Sequence, residues 1–295
     1  TCFMKKIFVT GSTGFLGSSV VRLLVATGYE VHCLKRQNSN LLRLNGILDK
    51  VNLVALEGIN FIDYFSEHKI DSILHCATNY GRNENKPIDT IEANLLLPLK
   101  ILYAASVTNV KSFINTDTIL DKRINHYSLS KKQFLSWLET YSQNLICVNV
   151  VLEHFYGPGD DPSKFVALMI KEMLNYSDGI NLTTGEQKRD FIYIDDVVNA
   201  FIVILKNISN QKNGFYEYEV GSGTSVRIKT LVELIKELSM CEVTKLNFGA
   251  IPYRENEVMV SIVNISDLLK LGWKPQYTLK TGLLKTIEFE KSRIR

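Results

Sequence analysis

The sequence predicts an α/β protein, with a doubly wound parallel sheet and a smaller C-terminal α/β lobe. Apolar runs of strand length alternate with segments of helical period through the first half of the chain. This alternation is typical of a parallel sheet that is covered by helices on both faces. A glycine-rich turn separates the first apolar run from the first helical segment. From Glu153 onward a long loop interrupts the alternation of strand and helix patterns, which indicates the lobe.

The first half contains the predicted sheet and its helices. The segment 14–27 places Val20, Leu23 and Leu24 on one helical face and ends before Gly28, which suits the position after a helix. Pro98 is expected to kink its helix or to lie near one of its turns. A loop through Asn79–Arg82 follows the fourth strand. The predicted strands are 7–9, 30–34, 51–56, 70–77, 112–115 and 145–151, and the predicted helices are 14–27, 89–108 and 127–142.

The second half is predicted to be less regular. The segment 154–162 reads as a long ordered loop because it contains two prolines and two glycines. Helices are predicted over 163–175, 194–205 and 228–238, and short strands over 180–182 and 215–220. We expect one domain over 1–152, to which a segment of about 191–212 returns, and a lobe formed by 153–190 and 213–295.

The composition restricts the possible functions. The chain has 295 residues, 45% of them apolar, which suffices for one large domain with a smaller lobe. The formal charge of +3 and the scattered basic residues predict no nucleic-acid partner. The apolar run at the start is too short for a signal peptide, and no later run reaches the length of a membrane span. Five distant cysteines with no metal-ligand spacing predict reduced thiols in a cytoplasm and no bound metal.

The glycine-rich turn predicts a Rossmann-type dinucleotide site. Gly11, Gly14 and Gly17 lie directly between a strand and its helix, where glycine permits a tight turn and brings backbone N–H groups close to a pyrophosphate. The spacing departs from G-x-G-x-x-G, so the strand-turn-helix context supports the assignment. The residues expected to contact the cofactor here are Gly11, Thr13, Gly14, Phe15, Leu16 and Gly17.

The end of the second strand indicates which cofactor is bound. A fold that binds NAD usually carries an acidic residue there, which hydrogen-bonds to the ribose 2′-hydroxyl. This chain instead has Lys35 and Arg36, with no acidic residue between Val31 and Leu48. The two cations can pair with a 2′-phosphate. NADP(H) is therefore favoured over NAD(H), although two solvated charges in a turn are also compatible with the sequence.

Three residues form the predicted catalytic set. Thr116 falls at the carboxyl end of a strand, where open α/β sheets bind ligands, and Tyr127 and Lys131 lie one turn apart on the next helix. An ammonium about 4 Å from a phenol can lower the phenol pKa from about 10 towards 7. In reduction, the Thr116 hydroxyl would bond to a substrate carbonyl, Tyr127 would protonate the alkoxide, and Lys131 would contact the nicotinamide ribose. A half-buried tyrosine and an ordinary strand-end hydroxyl are the structural alternatives.

Two further polar residues are predicted near this site. Asn94 lies in a helix among leucines, where an amide is costly unless it is hydrogen-bonded. It could join the helix to a strand, hold a water, or make a plain bond to backbone. His75 ends a buried strand near the expected cofactor, and we interpret it as a core histidine with its hydrogen bonds satisfied.

These residues together resemble the extended short-chain dehydrogenase/reductase family of nucleotide-sugar enzymes. The resemblance covers essentially the whole chain, and its second-half motifs are Gly185–Val197, Val220–Gly223 and Leu271–Pro275. It implies that Arg189 and Arg254 reach the nucleotide diphosphate or its base. It also implies that Ala77, Asn94, Tyr127 and Lys131 lie at the cofactor, that Tyr80, Thr116, Glu153 and His154 contact the substrate, and that the chain forms a homodimer.

Within that family, the chain more closely resembles the bacterial CDP-abequose and CDP-paratose synthases. The similarity lies in Leu152–Asp160, in Thr183–Gln187, and in Phe248–Ile251 followed by Arg254, Asn256 and Glu257. It implies NADPH-dependent reduction of the C4 ketone of a CDP-4-keto-3,6-dideoxyhexose, a step towards O-antigen sugars. The sequence leaves open which face of the ketone receives hydride.

Three other activities are alternatives for a chain with these residues. A nucleotide-sugar 4-epimerase uses the same threonine, tyrosine and lysine but keeps NAD bound, and the basic pair argues against it. A 4,6-dehydratase of the family needs Asp-Glu after the catalytic threonine, whereas Asp117 is followed here by Thr118. A catalytically silent dinucleotide sensor is a third possibility, and retention of the whole catalytic set favours an enzyme.

Overall fold

The computed structural model describes residues 5–81, 86–255 and 257–294. Arg82 of the predicted loop, Asn256 of the last motif and Cys2 lie outside the described residues. The chain divides into two compact units, each described here by itself. The first unit is formed by Thr1–Leu152 and Val198–Glu219, and the second by Glu153–Val197 and Val220–Arg295. The segment that returns to the first unit thus begins and ends later than the predicted 191–212.

The described residues contain twelve strands and ten α-helices. The strands are β1 (Lys6–Thr10), β2 (Glu30–Lys35), β3 (Val51–Ala55), β4 (Ser72–His75), β5 (Ser112–Thr118), β6 (Ile146–Leu152), β7 (His154–Tyr156), β8 (Gly179–Leu182), β9 (Lys188–Tyr193), β10 (Gly214–Val220), β11 (Ser225–Arg227) and β12 (Lys245–Phe248). The helices are α1 (Phe15–Ala26), α2 (Phe61–His68), α3 (Pro87–Ile91), α4 (Leu97–Ser106), α5 (His126–Tyr141), α6 (Phe165–Leu174), α7 (Ile194–Ile208), α8 (Ile228–Ser239), α9 (Ser266–Lys270) and α10 (Leu279–Ile294).

The first unit is built on a seven-stranded sheet. Its strand order is β10-β6-β5-β4-β1-β2-β3, and the neighbours from β6 through to β3 pair in parallel. The order 3-2-1-4-5-6 is that of a Rossmann fold. The predicted fold class is therefore confirmed. Because the strands are parallel, the carboxyl ends of β1, β2, β4 and β5 lie at the same edge of the sheet, where such folds bind ligands.

An apolar core holds the helices of this unit on the sheet. Phe8 of β1 packs edge-on against Phe65 of α2, with ring centroids 5.0 Å apart, and Phe113 of β5 packs against Phe134 of α5 at 5.8 Å. Every residue of β5 is buried. The helix that carries the predicted catalytic pair is thus fixed through its apolar face to the strand that carries Thr116.

The helix predicted over 89–108 is interrupted. A π-helical segment, Glu92–Leu96, separates α3 from α4, and Pro98 occupies the first turn of α4. Proline lacks an N–H group, so it is tolerated at a helix start but not in the interior. The extra residue per turn of a π-segment is often found at functional sites. Asn94 lies in this segment and is fully buried.

The second unit contains two small sheets and three longer helices that contact one another. One sheet has the order β11-β9-β7, and β12 pairs with β8 in the other. Helices α6, α8 and α10 pack together. The predicted loop over 154–162 begins with the three-residue strand β7, which pairs in parallel with β9. A strand of three residues is too short to show a hydrophobic period. The sequence prediction also omitted α2, β9, β11, β12, α9 and α10.

Cys33, Cys76, Cys147 and Cys241 are free thiols. Burial raises the pKa of the Cys33, Cys76 and Cys147 thiols to about 12, so these three are poor nucleophiles. Within the described ranges, no group of His, Cys, Asp or Glu side chains is arranged to hold a metal ion. None of the described helices is long and apolar enough to cross a membrane.

Candidate active site

The glycine turn folds tightly against the end of β4. Gly11 has a φ of 64°, and a Cβ atom there would lie 2.6 Å from the Ala77 nitrogen. A Cβ atom at Gly17 would lie 2.1 Å from the Gly11 carbonyl oxygen. Helix α1 then begins after Gly14 with no side-chain cap and no acidic residue in its first turn. The first N–H groups of α1 are therefore available to a diphosphate, as a dinucleotide requires.

A hydrogen-bond chain joins the ends of β1 and β4 beside this turn. The Ala77 N–H donates to the Thr10 hydroxyl at 3.1 Å, and that hydroxyl in turn bonds to Nδ1 of His75 at 2.7 Å. Burial, with a smaller effect of the Lys131 charge, holds the pKa of His75 well below 6.5, so the ring is neutral. Among the described residues, nothing hydrogen-bonds to His75 Nε2. The predicted core histidine is thus only partly satisfied.

The basic pair lies where β2 ends. Lys35 is the last residue of β2, and Arg36 begins an exposed turn in which the Ser39 N–H donates to the Arg36 carbonyl at 3.0 Å. The next N–H of the turn, that of Gln37, donates to the carboxylate of Glu57 at 2.9 Å. Glu57 was missed by the sequence analysis because it follows β3, which is distant in sequence but adjacent to β2 in the sheet. The order of the strands in the sheet, which places β3 beside β2, is the feature that locates Glu57.

Thr116 is buried near the end of β5. Its side chain is 5% exposed, and its hydroxyl donates to the His75 carbonyl oxygen at 2.9 Å. Strand β5 runs two residues beyond Thr116, so the predicted end at residue 115 is too early. To donate to a substrate carbonyl, as predicted, the hydroxyl must turn away from His75. The role of Thr116 in catalysis stays a prediction.

Lys131 is a buried cation that contacts the same strand. Its side chain is 1% exposed, and its Nζ donates to the Thr116 carbonyl oxygen at 2.9 Å. Burial lowers the pKa of Lys131 from 10.5 to about 8, and the charge of Asp117 opposes that decrease. A lysine with this pKa keeps its positive charge at neutral pH while holding the first turns of α5 against β5.

Tyr127 lies one turn before Lys131 in α5. This helix is capped by Asn125, whose side chain accepts the Ser128 N–H at 2.8 Å. The Tyr127 ring lies 5.1 Å from the ring of Tyr80, centroid to centroid. Tyr80 is 39% exposed, and it follows β4 in the loop where the sequence places a substrate contact. The structure thus brings together Tyr80 and Tyr127, which are distant in sequence.

Asn94 joins that loop to α5. Its Oδ1 accepts the Asn79 N–H at 2.7 Å, and its Nδ2 donates to the Asn79 carbonyl at 2.8 Å and to the Ser130 hydroxyl at 3.0 Å. The Ser130 hydroxyl donates to the Tyr127 carbonyl at 2.8 Å. Both amide protons of Asn94 therefore bond to protein groups, which favours a positioning role over a water-holding role. No sequence signal pointed to Ser130.

Asp117, the residue after Thr116, is hydrogen-bonded to three neighbours. Its fully buried carboxylate accepts from Lys132 Nζ at 2.8 Å, from Asn149 Nδ2 at 3.1 Å and from the Thr118 N–H at 2.7 Å. These three donors fix the position of the carboxylate.

In the second unit, a buried carboxylate orients a histidine. Glu153 accepts from the His154 N–H at 3.2 Å, from the Ser261 hydroxyl at 2.5 Å, and bonds to His154 Nδ1 at 2.8 Å. The His154 side chain is 39% exposed, whereas that of Glu153 is fully buried. Glu153 therefore positions the histidine ring, and His154 is the member of the pair that a ligand can reach.

The two predicted arginines of the second unit differ. Arg189 is 12% exposed, pairs with Glu257 at 2.5 Å and donates to the Lys188 carbonyl at 2.8 Å. Arg254 is exposed. A diphosphate would have to share Arg189 with Glu257, so the predicted role is less direct for Arg189 than for Arg254. Both roles stay predictions.

The fold and the glycine turn are those of dinucleotide-dependent enzymes, and the chain belongs to the NAD dependent epimerase/dehydratase family, whose profile matches residues 7–221. It is 35% identical over 296 residues to a CDP-abequose synthase of Salmonella muenchen, covering 97% of this chain and 98% of the relative. A second CDP-abequose synthase, of Salmonella typhimurium, is 33% identical over 299 residues, covering 95% and 97%. The predicted resemblance is therefore confirmed.

Solved structures with the same fold are more distant in sequence. A UDP-glucose 4-epimerase of Thermotoga maritima with UDP-glucose has a TM-score of 0.82 and 24% identity, covering 98% of this chain and all of that chain. The Thermus thermophilus UDP-glucose 4-epimerase in complex with NAD has a TM-score of 0.80 and 21% identity, covering 97% and 99%. At this identity the likeness establishes the common fold.

Proposed function

We propose that the protein reduces the C4 ketone of a CDP-4-keto-3,6-dideoxyhexose with NADPH, forming CDP-abequose or CDP-paratose. The observation that carries the proposal is the contact of buried Lys131 with the Thr116 carbonyl, one helical turn from Tyr127. It supports a cation held at the edge of the sheet where such folds bind ligands, one turn from the proposed phenol. The sugar class is supported by the two full-length CDP-abequose synthase relatives.

The cofactor would lie along the same edge. The N–H groups at the start of α1 would hold its diphosphate, and the basic pair of Lys35 and Arg36 would pair with the 2′-phosphate. NADPH, when bound, supplies the hydride. The absence of an acidic residue in the turn 36–40, together with the cations Lys35 and Arg36, supports NADP(H) over NAD(H).

The residues of the chain would supply and guide the proton. Tyr127 would donate its phenolic proton to the developing C4 alkoxide, which requires the phenol to lie within hydrogen-bond reach of that oxygen. The Lys131 ammonium favours the phenolate that remains, because opposite charges attract strongly in a buried site. Thr116 would exchange its bond to His75 for one to the substrate oxygen, and Asn94 with Ser130 would keep Tyr127 in place.

The second unit would bind the nucleotide diphosphate. Arg254 and His154 offer an exposed guanidinium and an imidazole held by Glu153. Both groups are suited to anionic oxygens. We also propose a homodimer on the basis of the family resemblance. Sedimentation of the purified protein tests it, with a dimer expected and a monomer contradicting it.

The direct test mixes purified protein with NADPH and CDP-4-keto-3,6-dideoxyglucose and follows the reduced nicotinamide band. We expect one NADPH to be oxidised per sugar reduced. A second candidate, a 4-epimerase with tightly bound NAD, is favoured by one observation, the carboxylate of Glu57 beside the end of β2. If NADPH is not oxidised while a CDP- or UDP-hexose is interconverted without added cofactor, the epimerase is the correct function.

A further inference from the structure

In the turn that follows β2, one backbone N–H group is already hydrogen-bonded to a carboxylate. The Gln37 N–H donates to Glu57 Oε1 at 2.9 Å, and the carboxylate reaches it from the residue pair that follows β3. The strands bring these segments together, since Lys35 is in register with Ala55 and the Leu56 N–H donates to the Lys35 carbonyl at 2.8 Å. The contact thus follows from the backbone pairing of the two strands.

This carboxylate lies at the end of β2, where dinucleotide folds bind the ribose 2′ group. In dinucleotide folds, the group that binds the 2′ substituent lies at the end of β2. The donors available there are the backbone N–H of Gln37 and the side chains of Lys35 and Arg36. A 2′-phosphate requires such donors, and Glu57 already accepts one of them.

The carboxylate is ionised at neutral pH. The hydrogen bond from the Gln37 N–H lowers the pKa of Glu57, and the charges of Lys35 and Arg36 lower it further. Its negative charge therefore offsets part of the positive charge of the basic pair. A 2′-phosphate carries about two negative charges at neutral pH, so it would meet a like charge at this turn.

We propose that Glu57 determines the choice between a 2′-hydroxyl and a 2′-phosphate at this site. The Glu57 carboxylate accepts a hydrogen bond from the 2′-hydroxyl of NAD(H), and it must leave the Gln37 N–H before the 2′-phosphate of NADP(H) binds to Lys35 and Arg36. The chain therefore binds both cofactors, and Glu57 limits its preference for NADP(H). This inference rests on the NADP(H) part of the proposed function and is independent of the sugar.

The test uses two nucleotide fragments of the cofactors that differ only in the group at the ribose 2′ position. Calorimetric titration measures binding of 2′,5′-ADP, which has the 2′-phosphate, and of 5′-ADP, which has the 2′-hydroxyl, to the wild-type chain and to Glu57→Gln. We expect the substitution to tighten 2′,5′-ADP about tenfold, equivalent to about 1.4 kcal/mol, while the affinity for 5′-ADP stays the same or falls. Added salt should reduce the difference because the charges are exposed.

Glu139→Gln is the matched control, since Glu139 is an exposed residue of α5 in the same unit and its loss changes the net charge equally. It should leave both affinities unchanged. The proposal is overturned if Glu57→Gln tightens both nucleotides equally, if it leaves 2′,5′-ADP unchanged, or if neither nucleotide binds to any variant. No sugar is present, so failure of the ketoreductase assay leaves this result standing.

Discussion

The two ends of the same ligand-binding edge are built differently. At β5 and α5, the polar groups of Thr116, Lys131 and Asn94 are buried and bonded to protein. At β2 and β3, Arg36 and Glu57 are exposed, and they balance charge in water. The residues around the proposed proton donor, Tyr127, are therefore fixed by the core, whereas the cofactor choice that we propose depends on exposed charges that one substitution can change.

The largest effect is expected for Tyr127→Phe. The phenylalanine keeps the ring contact with Tyr80 but removes the proton donor, so kcat should fall about 10²- to 10⁴-fold. The dissociation constant of NADPH should change less than twofold. Tyr103→Phe, at a tyrosine of α4 that is 52% exposed, is the control and should behave as wild type. Steady-state kinetics with near-normal kcat for Tyr127→Phe would remove this residue from the reaction.

Lys131→Met should lose activity and gain stability. Burial lowers the Lys131 pKa in the folded chain from 10.5 to about 8, so between these values the unfolded chain binds more protons. Stability should therefore rise with pH in that window, and the charged lysine costs stability below it. We expect Lys131→Met to raise the free energy of unfolding at pH 7 by about 1–3 kcal/mol and to lower kcat at least about hundredfold.

Denaturant unfolding from pH 7 to pH 10 measures this effect. The wild-type chain should gain stability relative to Lys131→Met as the pH rises. The control Lys100→Met changes an exposed lysine of α4 and should show no such pH dependence. A destabilised Lys131→Met variant at pH 7 would mean that the bond to Thr116 outweighs the cost of burial.

Asn94→Leu should separate the Tyr80 loop from α5. It leaves the half-buried N–H and carbonyl of Asn79 and the buried hydroxyl of Ser130 without the partners that Asn94 provides, so we expect a loss of about 2–3 kcal/mol. Thermal unfolding measures it, and Asn52→Leu in exposed β3 is the control. An unchanged stability would show that water replaces the amide, and that this end of the site is less rigid than we infer.

The smallest effect is expected at the exposed end. Replacing Lys35 and Arg36 by alanine should weaken NADPH about tenfold to hundredfold, because each charged hydrogen bond contributes about 1.5–3 kcal/mol before solvent screening. NADH should be unaffected, and kcat at saturating NADPH should be retained. The pair Lys291→Ala and Arg293→Ala in α10 controls for net charge. Equal weakening of both cofactors would contradict the proposed 2′-phosphate contact.

The same contrast explains what the sequence could predict. The parallel sheet, the glycine turn and the α5 pair follow from periodicity and local spacing, and the structure places them within a few residues of the expected bounds. Glu57 and Ser130 could not be found this way, because their contacts depend on which strands and helices are neighbours. The π-segment at Asn94 and the three-residue β7 are too short to alter the hydrophobic period. The contacts of Glu57 and Ser130 therefore depend on the tertiary arrangement of strands and helices, which residue spacing alone does not determine.

The proposed function requires that hydride moves from NADPH to the C4 carbon of a CDP-linked ketosugar. The most direct measurement supplies NADPH deuterated at the transferable C4 position of the nicotinamide, together with CDP-4-keto-3,6-dideoxyglucose, and locates the label by mass spectrometry and NMR. We predict one deuterium at C4 of the product sugar for each NADPH oxidised. An isomerised or dehydrated sugar without deuterium and without net oxidation of NADPH would contradict the account.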